Sequence, residues 1–275
     1  EWHEKLAKSD FKVKVLPAFR PDGVFSKDED ARNSYIRRLG EVSGVSVSDI
    51  KGIKKALKMR LDHFEAHGCK VADHGMENIP KEDEILEFLA EEYAKRGWVM
   101  QLHYGVIRNI NTKMYELVGK DSGFDAMTNV SSAKDLACFL DRVEKAGTLP
   151  KTVIYSLNPE DNAYIDAIAG SFQRGPVPGK IQHGAAWWFN DHKKGIEDHL
   201  KTYAAEGVLG NFIGMLTDSR SFISYPRHDY FRRILCNLIG TWVEAGEYPN
   251  DEKALAELIR GICYENVRKY LDLAK

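Results

Sequence analysis

Cysteine is scarce in this sequence: four residues, Cys69, Cys138, Cys236 and Cys263, in a chain of 275. They form neither a C-x-x-C pair nor a zinc-ligand spacing, which excludes a disulfide scaffold and reads as buried thiols in a reducing, cytoplasmic setting. Long apolar runs are also missing, and no signal peptide opens the chain, so no membrane partner is expected. Neither sign of charge dominates, with 39 Lys and Arg against 41 Asp and Glu. That balance gives no overall field for nucleic acid or an anionic bilayer, and an anionic ligand would need local arginines. There is no short repeat, no low-complexity segment and no Gly-rich dinucleotide fingerprint. His63 and His67 stand four apart, but Phe-Glu-Ala between them breaks the H-E-x-x-H zinc pattern. Both read as solvent-side residues.

The length and a 43% share of hydrophobic residues suit one large α/β domain. Strand-like and helix-like segments alternate. Lys12 to Phe19 reads as a strand ending on Arg20-Pro21-Asp22-Gly23, and a helix is expected around Ala31 to Leu39. Ser48 opens a helix with Ile50, Ile53, Leu57, Leu61 and Phe64 on one face and Gly68 as its stop. Cys69 to Ala72, Trp98 to Leu102, Thr152 to Leu157 and Lys180 to Ala186 are the next strands. Helices carry Ile85, Leu86, Leu89 and Tyr93, then Leu136, Phe139, Leu140 and Val143, then Ile196, Leu200 and Tyr203. A long polar loop is expected from His103 to Ser131. Two helices, Tyr230 to Ala245 and Glu252 to Leu273, finish the chain.

The most informative stretch is Phe212-Ile213-Gly214-Met215-Leu216-Thr217-Asp218-Ser219-Arg220-Ser221-Phe222. It reads as an apolar strand that stops on an acid and a base two residues apart, which extended geometry would point the same way. A surface ion pair is the plain alternative. A helix follows closely, however, and a charged loop between strand and helix is how a β/α barrel carries its chemistry. About six strand–helix alternations argue for a parallel sheet with right-handed crossovers. Its C-terminal rim would gather Arg20, Asp73, His74, His103, Asn158, Trp187, Asp218 and Arg220. That convergence argues for an enzyme. Each residue also has a plain reading: His103 as a hydrogen-bonded structural histidine, one of Trp187 and Trp188 as core, and Arg227, His228, Arg232 and Arg233 as a solvated face.

Five ordered motifs resemble the uronate (glucuronate) isomerase family of the amidohydrolase superfamily. They are Phe19-Arg20-Pro21-Asp22; Asp62-His63-Phe64 with His67-Gly68-Cys69-Lys70-Val71-Ala72-Asp73-His74; Gln101-Leu102-His103; Trp187-Trp188-Phe189-Asn190-Asp191; and Leu216-Thr217-Asp218-Ser219-Arg220-Ser221-Phe222. The resemblance implies a (β/α)₈ barrel of the metal-dependent hydrolase type. It further implies isomerisation of hexuronates, D-glucuronate to D-fructuronate and D-galacturonate to D-tagaturonate. By resemblance, Asp218 reaches a divalent metal, typically zinc, and shares the catalytic roles with His103 and Asp73. Arg220, Trp187 and Arg20 are then on the substrate side. The family's His-x-His motif and a catalytic tyrosine find no match here. The expectation is therefore that residues 1–275 are the C-terminal portion of one barrel, about strands 3 to 8, with the remaining metal ligands upstream of residue 1. The chain opens without Met at Glu1-Trp2-His3, as though within a helix. The expected partner is a small sugar acid, with homo-oligomerisation compatible. A metal-dependent hydrolase of the same superfamily and a sugar-acid binding module are the rival readings.

Overall fold

The computed structural model describes residues 2–273. The chain divides into two compact units. The first takes the residues up to Gly75, Pro80–Leu102 and Cys138–Thr152; the second takes Met76–Ile79, His103–Ala137 and everything from Val153.

The first unit contains α1 (Trp2–Ala7), β1 (Ala18–Phe19), α2 (Glu29–Ser43), α3 (Ile50–Ala66), β2 (Val71–Gly75), α4 (Glu84–Arg96) and the start of β3 (Val99–Tyr104). Its helices begin where an aspartate accepts from the free N–H groups of the first turn. Asp28 caps α2 from Ala31 N at 3.1 Å, Asp49 caps α3 from Gly52 N at 2.7 Å, and Asp83 caps α4 from Leu86 N at 2.8 Å. The cap of α3 is thus Asp49, one residue beyond the expected Ser48. Gly97 ends α4 in the left-handed conformation a Cβ disfavours. Leu57 and Leu61 of α3 and Leu86, Leu89 and Tyr93 of α4 are fully buried. Phe19 joins them, its ring edge-on to Phe64 at 5.2 Å and to Trp98 at 6.3 Å.

The second unit opens on a feature the sequence hid. The polar loop expected after His103 contains an antiparallel pair, β4 (Val106–Ile107) with β5 (Ala126–Met127), around the short helix α5 (Thr112–Val118). Two-residue strands are too short to show a period, so composition alone reads as loop. Next come α6 (Ala133–Lys145), whose second half belongs to the first unit, and β6 (Lys151–Ser156), which starts in the first unit and ends in the second. There follow α7 (Asn162–Ser171), β7 (Ile181–His183), α8 (Lys193–Glu206), α9 (Arg227–Glu244), α10 (Glu252–Arg260) and α11 (Asn266–Tyr270). The expected single last helix is split by a π turn at Gly261–Glu265. Ile196, Leu200 and Tyr203 of α8 pack with Phe231, Ile234 and Leu235 of α9 around Phe212.

Strands pair in chain order, β1-β2-β3-β6 in the first unit and β3-β6-β7 in the second, and β1 runs parallel to β2. An order that never reverses is the progression of a barrel wall, whereas a doubly wound sheet would switch direction. The stretch expected to be a further strand behaves otherwise. Among the described residues, 212–219 carry no strand ladder. Gly214 sits at φ +82°, where a Cβ would come within 2.2 Å of Ile262 O. The carbonyls of Gly210 and Phe212 accept instead from Asn266 Nδ2, each at 2.8 Å. Side-chain amides replace the ladder.

Candidate functional site

In the second unit, Asp218, Arg220, Trp187 and Trp188 line one cavity of about 540 Å³ together with Arg108, Asp125, Asp191 and Arg227. The extended geometry expected for Asp218 does not hold, since its φ is +40°. Asp218 and Arg220 nevertheless reach the same space, through a turn rather than through strand alternation. Trp188 and Asp121 on the cavity wall also have positive φ, +52° and +60°. Such conformations cost of order 1–3 kcal/mol each and persist where surrounding structure enforces them, typically at functional sites.

Charges on the same wall brace the turn that carries Asp218. Arg227, expected on a solvated face, donates to the carbonyl of Thr217, the residue before Asp218, and pairs with the buried carboxylate of Asp191. Arg108 pairs with Asp125 at 2.7 Å, and its guanidinium lies 5.1 Å from the Trp188 ring centre. Asp125 also accepts from Asn109 N at 2.8 Å, which closes the base of the β4–β5 hairpin. Arg108 and Asp125 were not legible as site residues, because they lie in the hairpin that composition reads as loop. Neither tryptophan is core: Trp187 is half-buried and Trp188 is 36% exposed. His103, near the end of β3, meets the Trp187 ring edge-on at 5.0 Å. Asn158 lies apart from this wall; it caps the turn after β6, accepting from Glu160 N at 3.2 Å.

Arg20 and Asp73 belong to the first unit, where they pair at 3.3 Å. Asp73 does not follow β2 but lies inside it, and the alternation of the strand puts its neighbour His74 on the other face. His74 is fully buried and bonded through Nε2 to Tyr93 OH at 3.0 Å and through Nδ1 to Asp22 at 3.2 Å. Asp22 takes a further bond from Gly75 N at 2.9 Å and one from Arg20 Nε at 2.8 Å. Burial opposes its charge, but the bonds from His74 and Gly75 outweigh it and hold the carboxyl below its usual range. By composition Asp22 is a turn residue, and the family motif that contains it gives it no role of its own. His63, as expected, is exposed.

A catalytic zinc site takes three protein ligands. Among the described residues no group of three or more His, Cys, Asp and Glu could hold a metal ion. Asp218 alone is one carboxylate, so the residues present do not make a metal centre by themselves. All four cysteines are free. No helix among the described residues is long and apolar enough to cross a membrane.

The glucuronate isomerase family model matches residues 1–84 and 81–271. A uronate isomerase from Bacillus pumilus is 44% identical over 299 residues, covering 98% of this chain and 63% of the relative. The crystal structure of uronate isomerase from Thermotoga maritima superposes with a TM-score of 0.89 at 31% identity, covering 98% of this chain and 64% of that one. Glucuronate isomerase from Caulobacter crescentus shares the fold, with a TM-score of 0.85 at 23% identity. The fold is therefore the α/β barrel class that the resemblance implied. The chain belongs to the glucuronate isomerase family. It spans about 63% of the length of the Bacillus pumilus relative.

Proposed function

We propose that the protein interconverts hexuronates and their ketoacid isomers, D-glucuronate with D-fructuronate and D-galacturonate with D-tagaturonate. One observation carries the reading: an acid, a guanidinium and an indole, Asp218, Arg220 and Trp187, line a single cavity of about 540 Å³ with His103 against the indole. Moving a carbonyl between C1 and C2 needs a base for the C2 proton, a donor at an oxygen and a clamp for the distant carboxylate. Asp218 serves as the base and takes the C2 proton while His103 delivers a proton to O1, giving an enediol. Asp218 then returns its proton to C1 as the O2 proton leaves to His103, which completes the ketose and restores both groups. Arg220 suits the clamp, because its planar fork can hold a carboxylate by two charge-assisted bonds. Trp187 offers a flat wall to the sugar at low entropy cost. Arg20 and Asp73 are assigned a substrate and a catalytic role by family motif, and they pair with each other at 3.3 Å.

A divalent metal, zinc by family type, would take one carboxylate from this chain, and no step above passes through it. The proposed setting is the cytoplasm, with a small sugar acid as the ligand. Incubating the protein with added zinc and D-glucuronate or D-galacturonate and following the ketose by NMR tests the reading. The expected outcome is the matching ketoacid without added nucleotide. Deuterium entering the sugar from heavy water distinguishes proton transfer from mere binding, and hydrolysis of an amide or ester substrate without ketose would favour the hydrolase instead.

A further inference from the structure

A second group of buried ionisable side chains lies in the same unit but outside the wall just described. Asp166 on α7, His183 on β7 and His199 on α8 are 4%, 3% and 2% exposed. His183 Nδ1 meets Asp166 Oδ1 at 2.9 Å, and the two imidazole rings stand edge-on with centres 4.4 Å apart. Neighbouring polar groups in this layer are fully matched. Gln182 Nε2 donates to Gly179 O and Asn211 O, both at 2.9 Å, and its Oε1 accepts from Tyr203 OH at 3.0 Å. Asp166 Oδ2 and His199 Nε2, by contrast, are buried without a partner. Asp166 and His183, but not His199, line a cavity of about 650 Å³, whose other charged members are Arg174 and Glu206 and whose apolar wall includes Ile181 and Val208.

The chemistry of a fitting ligand follows from what is unmatched. Burial pushes both imidazoles down to about 3, so they are neutral. The His199 ring also engages the Gly184 backbone, which leaves Nε2 as an acceptor. Burial raises the Asp166 carboxyl to about 7, so above that pH Oδ2 is a buried, charged acceptor without a donor, which is costly. An ammonium group carries three donors and no acceptor. The cavity size is within the range of small-molecule sites, which combine apolar walls with a few fixed polar groups.

We propose that this cavity is a second binding site, for a small organic amine with an apolar body, in which Asp166 is the counter-ion of the ammonium group. The site is separate from the wall of Asp218 and Arg220, and the proposal stands whether or not the isomerase reading holds. Benzylamine is the probe, with benzyl alcohol as its neutral isostere, titrated into the protein at pH 8, where Asp166 is ionised, by calorimetry and ligand-observed NMR. Benzylamine should bind saturably, and benzyl alcohol at least tenfold more weakly. Asp166→Asn should lose at least tenfold in benzylamine affinity. A second variant covers the case in which Asp166→Asn misfolds. Gly170 lines the cavity, lies in α7 and has no heavy atom within 4 Å of where a Cβ would be, so Gly170→Leu should fill the space with its helix intact. It should abolish benzylamine binding at unchanged circular dichroism. Equal affinity for alcohol and amine, retained affinity in either folded variant, or no saturable binding to the wild type would each overturn the proposal.

Discussion

At the scale of single residues, the cavity of Asp218 and Arg220 is defined by what its members cannot do elsewhere. Asp218 and Trp188 hold positive φ on the cavity wall, and Arg227 ties down the carbonyl that precedes Asp218. Arg220 is exposed and points into the same space, so its contribution is to ligand rather than to fold. Losing a hydrogen bond to a charged group costs roughly 1.5–3 kcal/mol. Arg220→Met should therefore weaken binding of a non-isomerisable hexarate by about one to two orders of magnitude, and Lys should restore only part of it because the fork is lost. Calorimetry on the two variants checks this, and an Arg220→Met affinity within twofold of wild type would refute the clamp. Asp218, Arg220, Trp187 and His103 were legible because each sits in or just after an apolar run. Arg227, Asp191, Arg108 and Asp22 were not. Their partners are ten or more residues away in sequence, apart from Asp22 with Arg20, and neither pattern nor composition encodes such pairings.

At the scale of elements, periodicity identified the long helices well. The centres of the faces it assigned inward on α3, α4 and α8 are buried, but Ile50 is exposed and Ile53, Phe64 and Ile85 are half-buried, because the ends and edges of an apolar stripe lie at the rim of the contact. Short elements escaped it. The hairpin β4–β5 is too brief to show a period, and the apolar run from Phe212 gave a strand signal that Gly214 and the amide of Asn266 override. Packing of α7 and α8 on β7 also predicts a pH response. His183 and His199 fall from 6.5 to about 3 on folding, so the unfolded chain binds their protons first as the pH drops. Their stabilisation is complete above pH 6.5 and declines below it. Asp166 rises from 3.8 to about 7, so its contribution has the opposite sign: complete below 3.8 and lost as the pH rises through 7. Between those limits two histidines outweigh one aspartate, and stability should fall by roughly 1.4 kcal/mol per pH unit on acidification. Urea midpoints at pH 5 and pH 6 measure the slope. His199→Gln removes one of the two protons and should flatten it; an unchanged slope would contradict the assignment.

At the scale of the whole molecule, the ligand set bears on metal content. With no group of three donors among the described residues, zinc-loaded and desalted chain should retain well under one equivalent by atomic emission. Stoichiometric, tightly held zinc would mean that further residues of this chain complete a site around Asp218. The turn that carries Asp218 also has a history in time. Its carbonyls at Gly210 and Phe212 are held by Asn266, and Gly214 is seated against Ile262. Asn266 lies 56 and 54 residues beyond the two carbonyls that it holds, so during synthesis the apolar run emerges long before the residues that shape it. A nascent chain can bury α8 against α9 and still have no fixed place for its acid. Premature termination after Arg260 should accordingly leave a helical protein that a protease cleaves within 212–222, while the 275-residue chain resists cleavage there. The acid would be the last part of this unit to acquire its position.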